Sequence, residues 1–161
     1  MKAKGLRWIC MALVFASLSA CGSGGGPVKR VSEPNAGIQQ LTVQADGRWT
    51  VALRLDNYSS VPMQFGAVSL ALTVGGESAG TLGGDASLSI GPESADVATL
   101  TLTPSSAAKI AVADILANRR SADYRIAGTI VATPEDGAPR TYTIERENTL
   151  SPAPGLPGVL R

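Results

Sequence analysis

The chain has 161 residues, 44% of them hydrophobic, 17% charged and 4% aromatic, with 18 Gly and 10 Pro, which suits one modest domain with flexible segments and excludes two large ones. Lys and Arg number 14 against 13 Asp and Glu, for a net charge of +1, and there is no His. A His-based catalytic triad, a His-assisted metal site and an imidazole pH switch are thereby excluded.

In chain order, Lys2, Lys4 and Arg7 make a basic start. The apolar run from Trp8 to Leu18, about 11 residues, has the length of a secretory core rather than of a bilayer-spanning helix. The run closes on Leu18-Ser19-Ala20-Cys21, which resembles the bacterial lipobox, where small residues precede a Cys that is diacylated, exposed by cleavage and then N-acylated. The resemblance implies a signal peptide over residues 1–20, cleavage between Ala20 and Cys21, and lipid on Cys21. Two or more acyl chains make a durable anchor that holds a protein on a membrane without spanning it.

Cleavage removes three basic residues and no acidic one, leaving 11 against 13 and a net charge of −2. Such a balance offers no footprint for nucleic acid. Cys10 leaves with the signal and Cys21 carries lipid, so the exported domain has no disulfide and depends on packing. Residues 21–33 begin with Gly22, Ser23, Gly24, Gly25, Gly26 and Pro27 and read as a flexible tether. In lipoproteins of two-membrane bacteria an Asp after the lipidated Cys tends to retain the protein in the inner membrane. Gly22 here implies, by that resemblance, the outer membrane facing the periplasm.

Period two dominates the region that follows. Leu41 and Val43 mark a first strand, and Trp49, Val51, Leu53 and Leu55 alternate with Thr50, Ala52, Arg54 and Asp56 in a second, the pattern of a half-buried antiparallel strand. Val68, Leu70, Leu72 and Val74 predict a third, closed by a hairpin turn at Gly75-Gly76. Short strands are predicted at Ala86 to Ile90 and Ala95 to Leu102. After Pro104, Ser105 or Ser106 can cap a helix with Ala108, Ala111, Val112 and Ile115 on one side and Asn118 at its end. Tyr124, Ile126, Ile130 and Ala132 then share a strand face, and after a turn-rich loop over Pro134 to Pro139 a last strand runs from Thr141 to Glu147, with Tyr142 and Ile144 inward. Seven strands and one helix point to a β-sandwich. The segment 149–161, with Pro152, Pro154, Gly155, Pro157 and Gly158, reads as a disordered tail.

The chemistry-bearing residues form no constellation. Lys109 lies on the wet side of the helix, without the desolvation that an activated Lys needs. Asp46, Asp56, Asp85, Glu93, Asp96, Asp136, Glu145 and Glu147 lack the one-three-five spacing of a calcium loop and read as solvated surface. No catalytic residue, metal or cofactor is expected, and the protein reads as a non-enzyme.

From Leu41 to Leu102, the strand beginning at Trp49, the segment Leu53-Arg54-Leu55-Asp56-Asn57, the restart at Val61-Pro62-Met63 and the turn Val74-Gly75-Gly76-Glu77 resemble the late embryogenesis abundant type-2 family, also described as water-stress and hypersensitive-response domains. The likeness spans residues 34–148. It implies an immunoglobulin-like or fibronectin-like antiparallel sandwich of about seven strands with one short helix. Where the family carries Asn-Pro-Asn this chain has Asn57-Tyr58-Ser59, so only the first Asn transfers, as a residue that satisfies backbone groups where a strand enters a turn. Trp49 reads as a core or edge anchor. The resemblance implies an envelope protein active in desiccation or osmotic stress, through contact with envelope proteins or lipid. Two other readings stay open: a module holding a lipid or other apolar ligand, and an accessory in envelope assembly that offers an edge strand to a partner.

Overall fold

The structure, a computed structural model, describes residues 29–161. The signal-peptide reading of 1–20, Ala20, Cys21 and most of the tether lie outside the described residues. Eight strands and one helix follow in the order β1 (Asn35–Val43), β2 (Trp49–Asn57), β3 (Met63–Val74), β4 (Glu77–Ile90), β5 (Ser94–Leu102), α1 (Ser106–Ala117), β6 (Ala122–Pro134), β7 (Arg140–Leu150) and β8 (Val159–Leu160). They form two four-stranded antiparallel sheets, in the orders β5-β2-β1-β8 and β4-β3-β6-β7. The fold is an all-β sandwich with one helix, and it has one strand more than the sequence count.

The core follows from alternation wherever the ladder is regular. Trp49, Val51, Leu53 and Leu55 of β2 are all fully buried, facing Leu70, Leu72, Ile126 and Ile130 of the other sheet in one continuous cluster. Two bulges reset the phase, because an extra residue moves every later side chain to the other face. In β1 the irregularity between Ile38 and Gln40 changes the inward set from Ala36 and Ile38 to Leu41. In β3 the irregularity after Phe65 changes it from Met63 and Phe65 to Val68, Leu70, Leu72 and Val74.

Gly75 and Gly76, with φ of 59° and 83°, form a two-residue hairpin whose twist matches the flanking strands. The strand after it is far longer than the Ala86 to Ile90 expected: β4 has 14 residues. Its stretch from Glu77 to Gly84 carries Gly80, Gly83 and Gly84 and presents no apolar alternation. The reason is space: a Cβ at Gly84 would come within 2.9 Å of Leu100 Cδ2 and one at Gly80 within 3.4 Å of Leu102 Cδ1. Leucines of β5 occupy the room that the glycines leave, so this part of the core is supplied by the opposite strand.

Helix α1 matches its sequence signals. Ser105 is the N-cap, its Oγ accepting from the N–H of Ala108 at 3.2 Å and donating to the Ser78 carbonyl at 2.6 Å. Asn118 ends the helix, and the N–H groups of Arg119 and Arg120 return to Leu116 and Ile115, with Arg119 at φ 51° in the left-handed position. Ala108, Val112 and Ile115 are buried, while Ala111 is only half-buried.

The disordered tail expected over 149–161 is corrected. Leu150 completes β7, and residues 151–153 and 159–161 form a small hairpin through Arg161 N–H to the Ser151 carbonyl at 2.8 Å and Ala153 N–H to the Val159 carbonyl at 2.9 Å. Its outer arm is β8, which pairs with β1 as Leu41 with Leu160 and Thr42 with Val159. Leu160 is fully buried and Val159 nearly so. Two apolar residues suffice here because they cover the open end of β1, and the Pro and Gly that suggested disorder shape the turn between the arms.

Candidate functional site

The strand directions give the sandwich two poles. One gathers the start of β1, the end of β2, the start of β3, the β4–β5 turn and the β6–β7 loop; the other gathers Trp49, Leu102, the Gly75-Gly76 turn, α1 and the C-terminal hairpin. The first is organised by Asn57. Its Nδ2 donates to the carbonyls of Val61 at 2.9 Å, Gly91 at 2.9 Å and Ile90 at 3.1 Å, and its Oδ1 accepts from Ser59 N–H at 2.9 Å. The last bond is an Asx turn, the local use of an Asn side chain at a strand end. Asn57 and Ser59 are the buried polar residues among those described. Asn57 has no exposed surface for a ligand, and its amide is consumed in joining β2 to the starts and ends of three other strands.

The chain preceding β1 is strapped across this pole. Arg30 N–H donates to Ser60 Oγ at 2.8 Å, its carbonyl accepts from Ser60 N–H at 2.9 Å, and its guanidinium reaches the Tyr58 carbonyl at 3.1 Å and Glu93 at 3.2 Å. Ser32 N–H donates to Ser59 Oγ at 3.0 Å. Lys29 Nζ meets Asp136 at 2.7 Å. That hydrogen bond and the charges behind it hold the Asp136 carboxyl below its ordinary range and the Lys29 ammonium above its own. Residues 29–33, expected to belong to the tether, therefore touch the β2–β3 corner, the β4–β5 turn and the β6–β7 loop. Single-sequence signals for this strap are weak, since each contact pairs residues 27 to 107 positions apart.

At the opposite pole Trp49 has no exposed surface and stands between Val43 and Leu102 in the register. Its place is the core, not a surface platform. Two open grooves lie near this end. One, of about 880 Å³, runs between the end of α1 at Leu116 and Ala117 and the hairpin residues Ser151 to Gly158. The other, of about 500 Å³, is lined by Thr73, Asp123, Arg125, Glu147 and Thr149. Its acids are engaged: Arg125 pairs with Glu145 and with Glu147, and Asp123 accepts from Thr149 Oγ1 at 2.8 Å. Among the described residues no group of three or more His, Cys, Asp or Glu side chains could hold a metal.

Tyr124 is a residue whose role the alternation does not reveal. Alternation puts it on one face with Ile126, Ile130 and Ala132, and it is buried, but its hydroxyl also accepts from the N–H of Ile38 at 3.0 Å. That bond crosses between the sheets and satisfies a β1 group beyond the reach of β8.

No family profile and no curated protein matches the chain. Solved structures similar to it include a protein from Archaeoglobus fulgidus at 15% identity, covering 76% of this chain and 98% of its own, with a TM-score of 0.44. A protein from Arabidopsis thaliana is similar at 14% identity, covering 80% and 82%, with a TM-score of 0.47. A Bordetella pertussis protein provisionally named ApaA is similar at 17% identity, covering 81% and 100%, with a TM-score of 0.47.

Proposed function

We propose that this chain is a non-catalytic envelope lipoprotein, anchored through Cys21 in the outer membrane and facing the periplasm, whose domain of late embryogenesis abundant type-2 kind acts in desiccation or osmotic stress by surface contact with envelope components. The observation that carries the anchor is the succession of Lys2, Lys4 and Arg7, the apolar run Trp8 to Leu18, and Leu18-Ser19-Ala20-Cys21. The filled core supports contact rather than carriage. The buried side chains of both sheets form one cluster, and the two grooves near the far pole open to solvent instead of entering it. An interior at ordinary density has no room for an acyl chain.

The direct experiment labels cells with an acyl-chain probe. The parent protein incorporates label and fractionates with membranes, whereas Cys21→Ala incorporates none; equal labelling of the two removes the anchor. Survival of drying by cells carrying parent or Cys21→Ala protein then tests the stress role, which requires the anchored form to protect better.

A further inference from the structure

We infer that the pole crossed by the N-terminal strap is a bilayer-contact surface, with Tyr58 and Val31 seated in the headgroup region of the membrane that holds the anchor. The inference rests on the lipoprotein reading and adds an orientation to it. Among the described residues four large apolar side chains are exposed: Tyr58 at 51%, Val31 at 38%, Ile110 at 72% and Leu156 at 46%. Tyr58 and Val31 are neighbours at the strap, since the Arg30 guanidinium holds the Tyr58 carbonyl and Ser32 holds Ser59. Ile110 and Leu156 sit at the other end of the sandwich.

Chain length names the occupant. Lys29 lies eight residues after Cys21, so full extension allows at most about 29 Å between the lipid and the domain. The 12-residue strand β3 spans about 40 Å from pole to pole, so the far pole cannot lie down on the membrane as readily as the near one. The strap removes the remaining freedom, because the chain is bonded to three separate turns before it enters β1. Tyrosine is a side chain favoured at a membrane interface, with an apolar ring and a polar tip.

Charge does not drive this contact. Lys29 is paired with Asp136 and Arg30 with Glu93, and the segments of this pole add the exposed Arg140 against the exposed Glu33 and Glu135. The pole carries no basic excess, so the contact should form on zwitterionic bilayers as well as anionic ones and should be insensitive to salt.

The test uses the mature acylated chain, beginning at Cys21 and so without Trp8, in phosphatidylethanolamine vesicles, with and without brominated acyl chains that quench tryptophan on contact. Trp49 is buried and gives the parent a constant background. Tyr58→Trp and, as a second probe at the same pole, Val31→Trp should each lose about half of the added emission to brominated lipid, while Ile110→Trp loses none. Equal quenching at positions 58 and 110, or none at 58 and 31 in a protein whose mass shows the acyl chains, overturns the orientation and leaves the lipoprotein reading standing. A mature protein without acyl mass overturns both.

Discussion

The two poles of the sandwich are held together by different physics. At the near pole, Asn57 and Ser59 join strand ends through directional bonds to buried carbonyls and N–H groups. At the far pole, the side chains of Trp49, Leu102, Leu150, Leu160 and the inner face of α1 meet in the apolar cluster, and the hydrogen bonds there lie at its rim. Apolar packing tolerates changes of shape that conserve volume. A hydrogen-bonded corner tolerates almost none, because each lost bond strands a desolvated partner. The difference shows where the described domain, which contains no Cys, fixes its geometry rather than merely its compactness: at the pole where the chain enters it.

The largest expected effect tests the apolar side. Trp49→Ala removes the largest fully buried side chain among the described residues and should cost about 3 to 5 kcal/mol, whereas Trp49→Phe should cost clearly less. Denaturation midpoints measure both, and an equal cost would mean that the indole is held by something other than packing. Asn57→Ala comes next, at about 3 kcal/mol, because the carbonyls of Val61, Ile90 and Gly91 lose a shared donor. Asn57→Asp should be no milder despite its shape, since a buried carboxylate offers those carbonyls no donor; rescue by Asp would contradict the assigned amide orientation.

Leu160→Ala should cost about 2 to 3 kcal/mol, and amide exchange should rise first at Leu41 and Val43, the β1 positions against the hairpin. Unchanged protection there would detach the C-terminal hairpin from the far-pole core. Arg54→Ala, on the exposed face of β2 and paired with Asp56 at 2.9 Å, should stay within about 0.5 kcal/mol.

The smallest effect is that of pH. The depressed Asp136 contributes stability above its ordinary carboxylate range that is lost as pH falls through its lowered value, and the raised Lys29 contributes stability below its ordinary range that is lost as pH rises past it. Asp46, lowered by its bonds to Arg48, behaves as Asp136 does. With no His in the chain, thermal midpoints should be flat between about pH 6 and 8.

The sequence made legible whatever is local. β2 was readable because four apolar residues alternate without a bulge, and α1 because Ser105 and Asn118 sit at its ends in the positions that capping requires. The Asn57 turn was readable as a local device, though not its bonds to Ile90 and Gly91, which depend on the β4–β5 turn folding against it. The first half of β4 was hidden because its glycines carry no pattern and its packing comes from Leu100 and Leu102. The C-terminal hairpin was hidden for the complementary reason: its order comes from β1, and nothing in residues 151–161 alone describes the edge they fill. The strap belongs to the same class, a segment whose partners are all distant.

The pairing of β8 with β1 has a consequence for the life of the chain before it folds. Leu41 and Leu160 stand about 120 positions apart, a non-local closure of the kind that slows folding. While the polypeptide is still being synthesised, β1 has no β8 beside it, and the far-pole end of its edge stays unprotected until Val159 and Leu160 arrive. A product truncated before β8 would keep that edge open for association with others of its kind.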